Sequence, residues 1–77
     1  MTDLEKYENV FLSLFDVTRE DLSTLTYLRG RWDSLQHVDM ITMLEETFDI
    51  SINSTDVVLF NSFEKGKKIL RGYGVEV

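Results

Sequence analysis

The first apolar positions of the chain recur at intervals of three and four residues. In residues 2–15 these positions are Leu4, Tyr7, Val10, Phe11, Leu14 and Phe15. This spacing places these apolar side chains on one stripe of a helix. Thr2 or Asp3 supplies a side-chain oxygen that can cap the helix start. The pattern therefore predicts a first amphipathic helix over residues 2–15.

A long connection, residues 16–33, follows this helix. Thr18 and Asp21 stand three residues apart in it, which is typical of the start of a helical turn. We expect four apolar residues to attach the connection to the core, and these are Leu22, Leu25, Tyr27 and Leu28. Gly30 stands just before the next helix, where the backbone needs a turn. Connections of this length are uncommon in small domains and often carry function.

The strongest helix prediction covers residues 34–49. Asp33 or Ser34 can cap this helix, and Gln36 stands three residues after Asp33, as in a capping box. A short third helix is predicted over residues 55–60, with Asn53 or Ser54 as its cap.

The last predicted helix spans residues 62–71. Asn61 and Glu64 resemble a capping box, and Gly72 suits the helix end. No segment favours a strand. The sequence therefore predicts one all-α domain over residues 1–77, a small four-helix bundle with three main helices and one short helix.

The second predicted helix has two different faces when its residues are placed at about 100° per residue. The core-facing arc contains His37, Met40, Ile41, Leu44 and Phe48. The opposite arc begins at Ser34 and combines apolar with acidic residues: Leu35, Val38, Asp39, Thr42, Glu45 and Glu46. Apolar residues bordered by charge are typical of a docking surface. A solvated face with two scattered aliphatic residues has the same pattern, so both interpretations stay open.

Charge and composition restrict the partners. The formal net charge is −6, which disfavours nucleic acid and anionic membranes and favours basic protein partners.

With one histidine and no cysteine, we predict no metal site. No signal peptide and no membrane span are predicted, and the lack of cysteine fits a reducing compartment. We expect a cytoplasmic monomer.

The segment that begins at Asp33-Ser34-Leu35 resembles the acyl carrier protein family. In that family an Asp-Ser-Leu triplet opens the second helix, and an apolar and acidic helix ending in Leu-Glu-Glu-x-Phe follows. Here the triplet is followed at the same spacing by Leu44-Glu45-Glu46-Thr47-Phe48. The resemblance extends to the length of the chain, the long first connection and the short third helix.

The resemblance implies a covalent cofactor and no catalysis by this chain. Ser34 would accept 4′-phosphopantetheine from coenzyme A, transferred by a separate magnesium-dependent phosphopantetheinyl transferase that recognises Asp33 and Leu35. The arm would carry acyl groups as thioesters to acyl-transferring or condensing enzymes with basic docking patches. The docking positions implied are Leu35, Val38, Asp39, Thr42, Glu45 and Glu46.

Two residues depart from the common pattern of fatty-acid carriers. Thr42 replaces a larger apolar residue at a docking position, and Trp32 stands where many of these carriers have a small or different residue. A Trp there resembles carriers of polyketide, nonribosomal-peptide or aminoacyl pathways, so the cargo stays open. Trp32 by itself predicts a hydrophobic anchor that holds the connection on the core. Candidate residues for lining an acyl-chain cavity, or for ordinary core packing, are Met40, Met43, Leu44 and Ile52.

Two rival functions are compatible with parts of this sequence. Asp33, Ser34 and His37 include the residue types of a hydrolase triad, but the helical pattern points His37 toward the core and no nucleophile elbow is present. We expect His37 to pack and to bind a loop carbonyl. The second rival is an unmodified helical interaction module that uses the same acidic face without an arm.

Overall fold

The computed structural model describes residues 1–27 and 32–77. Within them the chain forms four α-helices and one 3-10 helix: α1 (Asp3–Leu14), the 3-10 helix (Arg19–Thr24), α2 (Ser34–Phe48), α3 (Ser54–Leu59) and α4 (Phe63–Arg71). The prediction of an all-α domain is confirmed. Among the described residues, extended pairing is limited to one isolated bridge between Thr26 and Ser62. No helix in these ranges has the length and apolar character that crossing a bilayer requires.

Capping boxes fix the starts of α1 and α2. The sequence predicted Thr2 or Asp3 as the cap of α1 and the capping box of α2. The Thr2 hydroxyl accepts from the Glu5 amide at 3.1 Å, and the Glu5 carboxylate accepts from the Thr2 amide at 3.1 Å. This second bond lowers the pKa of the Glu5 carboxyl. At α2 the Asp33 carboxylate accepts from the Gln36 amide at 2.9 Å. Asp33, and not Ser34, is therefore the N-cap of α2.

The end of α2 and the start of α3 also follow their residue types. Asp49 ends α2 in the left-handed conformation with φ of 53°, which aspartate tolerates better than most residues. The Asn53 side chain caps α3 by accepting from the Asp56 amide at 2.8 Å.

The predicted capping box at the start of α4 is wrong. Ser62, and not Asn61, caps this helix, since the Ser62 hydroxyl accepts from the Lys65 amide at 2.9 Å. The Asn61 carbonyl instead accepts from the Tyr27 amide at 2.9 Å. This pairing with the first connection places Asn61 outside the helix, and the Glu64 carboxylate pairs with Lys67 at 3.3 Å.

The core is rich in aromatic side chains contributed by α1, α4 and the connections. Its largest fully buried members are Trp32, Tyr7, Phe11, Phe60, Leu22, Met40, Leu44 and Leu70. The Tyr7 hydroxyl donates to the Phe63 carbonyl at 2.7 Å, and burial raises the pKa of this phenol above its usual range. Gly66 makes this packing possible, because a Cβ there would lie 2.2 Å from the Tyr7 hydroxyl and 2.3 Å from Phe60.

The first connection is attached to the core as predicted. Leu22 and Leu25 are buried, and Tyr27 is half-buried. The Leu25 carbonyl also accepts from the Phe63 amide at 3.1 Å. Leu28 and Gly30, which the sequence singled out, lie outside the described residues. Trp32, which directly precedes the N-cap of α2, is buried in the same core.

Candidate functional site

Ser34 is the first residue of α2 and is exposed. Its hydroxyl is not required for capping, because the neighbouring Asp33 carboxylate performs that role. The amides of Ser34 and Leu35 belong to the first turn, outside the intrahelical hydrogen-bond ladder. They lie at the positive end of the helix dipole. The local structure therefore presents a serine hydroxyl at a position that favours an attached anion.

Trp32 anchors the chain directly behind this position. Its side chain is 1% exposed and packs edge-on against Phe11, with ring centroids 5.5 Å apart. The Trp32 indole N–H donates to Nδ1 of His37 at 3.0 Å. This confirms the prediction that Trp32 holds the connection on the core.

His37 links the start of α2 to α3. Because Nδ1 accepts from Trp32, the ring proton of neutral His37 is on Nε2, which lies 2.8 Å from the Val57 carbonyl. The prediction that His37 packs and bonds to a carbonyl is confirmed, although the carbonyl belongs to a helix and not to a loop. Both ring nitrogens are thus occupied by partners other than Ser34.

Tyr27 contacts the candidate serine and was missed at this position by sequence reasoning. Its hydroxyl lies 2.9 Å from Ser34 Oγ, and either atom can be the donor. The sequence marked Tyr27 only as an apolar anchor. The two residues are seven positions apart in the sequence and belong to different segments, so helical periodicity does not indicate the contact.

The outer face of α2 combines exposed apolar and acidic side chains. Leu35 is 73% exposed and Val38 is 60% exposed. Asp39, Thr42 and Glu46 on the same face are also exposed. The structure thus brings together five of the six predicted docking residues on an accessible surface.

Glu45 differs from the other predicted docking residues. It is half-buried, and its carboxylate accepts from the Ile52 amide at 2.8 Å. This bond ties the end of α2 to the segment that leads into α3. Glu45 therefore has a structural partner, which the helical pattern alone does not reveal.

A second apolar surface on α3 was also missed. Val58 is 79% exposed, and Leu59 is exposed as well. A cleft of about 210 Å³ separates this surface from α2, and it is lined by Tyr27, His37, Val57, Val58 and Phe60. In the sequence, the pair Val57-Val58 indicates this surface. Helix α3 has six residues and is too short to bury all of its apolar side chains.

The four residues considered for lining an acyl-chain cavity separate into two groups. Met40, Leu44 and Ile52 are buried members of the core cluster, so ordinary packing accounts for them. Met43 is half-buried and borders an open cleft of about 230 Å³ together with Val10 and Thr47.

The site therefore offers an exposed hydroxyl on a firmly supported helix start, beside an acidic and apolar face. No family model, no curated protein and no solved structure matches this chain.

Proposed function

We propose that this chain is an acyl carrier protein of the four-helix type that the sequence resembles, with Ser34 as the attachment point for 4′-phosphopantetheine. The observation that carries the proposal is the division of roles at the start of α2. Asp33 caps the helix and Trp32 anchors it, so Ser34 remains exposed. Esterification of Ser34 Oγ would cost neither a cap nor a core contact.

The residues present fit a phosphodiester. The first-turn amides of Ser34 and Leu35 and the positive end of the α2 dipole favour a negative group at this point. Asp33 adds one negative charge beside it, which opposes this effect. The role of Asp33 in recognition by the transferase rests on the resemblance to the carrier family. The arm, when bound, supplies a thiol for thioester formation. The sequence itself contains no cysteine.

The outer face of α2 supports delivery to partner enzymes. Leu35 and Val38 supply apolar contact area close to Ser34, and Asp39 and Glu46 supply negative charge. A partner with a basic patch around an active-site entrance would associate faster with this face through charge steering. Tethering then raises the effective concentration of the cargo at that active site.

A mass measurement tests the attachment. The chain is incubated with coenzyme A, Mg²⁺ and a phosphopantetheinyl transferase of broad specificity, and its intact mass is recorded. We expect a gain of one phosphopantetheine group, which fragmentation of the proteolysed product places on Ser34. No gain with several active transferases would overturn the proposal.

The second candidate function is an unmodified interaction module, which the exposure of Leu35, Val38 and Val58 favours. Such a module would bind its partner equally well as wild type and as Ser34→Ala, and would gain no mass.

For a carrier, the cargo class extends from fatty acyl to polyketide and aminoacyl groups. Trp32 is 1% exposed and therefore contributes nothing to the docking surface.

A further inference from the structure

We propose that Tyr27 is a positioning residue for the attachment reaction at Ser34, an inference that rests on the proposed function. The phenol oxygen of Tyr27 lies 2.9 Å from Ser34 Oγ. Tyr27 belongs to the first connection and Ser34 to α2, so the contact joins two segments of the described chain. It is a hydrogen bond to the very atom that would be modified.

Tyr27 is itself held from two sides. Its amide donates to the Asn61 carbonyl at 2.9 Å, next to the bridge between Thr26 and Ser62. Its ring packs edge-on against Trp32 at 6.2 Å and against His37 at 5.1 Å between centroids. Because Trp32 and His37 are hydrogen-bonded to each other, the phenol oxygen projects from a fixed support.

A fixed phenol restricts the serine. An exposed serine side chain exchanges among three staggered rotamers, and a nucleophile is most effective when one orientation is already selected. The hydrogen bond to Tyr27 selects the rotamer that places Oγ beside the phenol. The transferase therefore meets a hydroxyl whose direction is set before docking.

The role of Tyr27 changes when the bond forms. Ser34 Oγ attacks the pantetheine-bearing phosphorus of coenzyme A, and the phosphoanhydride bond to the departing adenosine 3′,5′-bisphosphate breaks. The Ser34 proton passes to a base of the transferase. The esterified Oγ has no hydrogen left, so in the product the Tyr27 hydroxyl is the donor toward the oxygens of the phosphodiester.

Tyr73 provides a matched control. Its hydroxyl accepts from the Asn53 amide at 3.0 Å and donates to the Asp56 carboxylate at 2.6 Å, at the start of α3. Tyr73→Phe, like Tyr27→Phe, removes one phenol oxygen near a helix start, but the Tyr73 oxygen does not contact Ser34. If removing a phenol hydroxyl acts by disturbing local structure, loading should slow in both variants. If it acts through the position of Ser34, loading should slow only in Tyr27→Phe.

The test compares wild type, Tyr27→Phe and Tyr73→Phe in transferase kinetics and phosphorus NMR of the fully loaded protein. We expect kcat for Tyr27→Phe to fall about three- to tenfold, the effect of one hydrogen bond, with KM unchanged because the α2 face is intact. We also expect a shifted phosphodiester resonance in Tyr27→Phe alone. Tyr27→Phe retains the ring, and circular dichroism checks its fold.

Three results would overturn the inference. A Tyr27→Phe variant with unchanged or raised kcat would show that the bond does not aid attack, and so would a change in KM alone. An unshifted phosphorus resonance would show that Tyr27 does not contact the attached group. These failures concern Tyr27 only, whereas a wild-type chain that accepts no phosphopantetheine would overturn the proposed function as well.

Discussion

The starts of α2 and α3 are built alike, yet only one has the features of an attachment site. Each has a serine as its first helical residue, Ser34 or Ser54, and each serine is exposed behind an N-cap with a carbonyl-type side chain, Asp33 or Asn53. A tyrosine hydroxyl approaches both starts. Helix position and exposure therefore do not distinguish the two serines.

The difference lies in what each tyrosine contacts. Tyr73 binds the backbone of Asn53 and the carboxylate of Asp56, so its hydroxyl stabilises α3 itself. Tyr27 binds the serine side chain at α2. After the serine, α2 presents Leu35, which is highly exposed, where α3 has Thr55. The surroundings of a helix start, more than its cap, therefore mark a candidate site.

The largest expected effect comes from removing Trp32, the aromatic anchor directly before the N-cap of α2. Trp32→Ala should lower the free energy of unfolding by about 3–5 kcal/mol, because the side chain is almost completely buried and a cavity remains. Chemical denaturation measures this. Trp32→Phe, which keeps an aromatic ring, should lose clearly less. A loss for Trp32→Ala below about 1 kcal/mol would contradict the anchoring role.

The next effect concerns the face that extends from Ser34. Asp39→Lys combined with Glu46→Lys should lower kcat/KM for loading about tenfold at low salt, because charge steering is reversed. The difference should shrink as salt screens it. Glu45 is left unchanged, since its carboxylate holds the Ile52 amide.

The control for this experiment is Glu20→Lys combined with Glu76→Lys, which changes the net charge equally on exposed positions of the 3-10 helix and of the segment after α4. Equal losses in both double variants would mean that only net charge matters, and the α2 face would have no specific role.

Capping and recognition can be separated at Asp33. Asp33→Ala should cost about 1 kcal/mol of stability through loss of the cap, whereas Asp33→Asn should cost little because asparagine caps equally well. If the transferase recognises the carboxylate, both variants should load slowly. Normal loading of Asp33→Asn would show that Asp33 serves only as a helix cap, as Asn53 does at α3.

The smallest effect is a pH dependence at the start of α3. The hydrogen bond to Asp56 raises the pKa of the Tyr73 phenol. Its stabilising contribution is therefore complete below the ordinary phenol pKa of about 10 and declines as pH rises above it. The stability difference between wild type and Tyr73→Phe should narrow in that range. A difference that stays constant to higher pH would contradict this assignment.

Much of this fold was predictable because its signals are local. Thr2 or Asp3 was predicted as the cap of α1, and Asp33 with Gln36 as a capping box of α2. Thr2 and Asp33 form these caps, each with a residue three positions further along the chain. The start of α4 was not predictable from local signals, because Asn61 and Ser62 are both good caps. The pairing of Tyr27 with Asn61 decides between them, and that pairing is long-range.

The features of the candidate site also separate into those that were predictable from local signals and those that were not. The exposure of Leu35 and Val38 follows from helical periodicity and was predicted. The hydrogen bond between the Tyr27 and Ser34 hydroxyls and the one from the Ile52 amide to the Glu45 carboxylate join residues of different segments of the chain. No periodic pattern contains that information.

The most direct test of the account is loading of Ser34→Ala and Ser54→Ala side by side, with intact mass recorded after incubation with coenzyme A, Mg²⁺ and transferase. Both substitutions remove an exposed hydroxyl from the first position of a helix. The account predicts no added mass for Ser34→Ala and one phosphopantetheine for Ser54→Ala. Loading of Ser34→Ala, or of neither variant nor wild type, would contradict it.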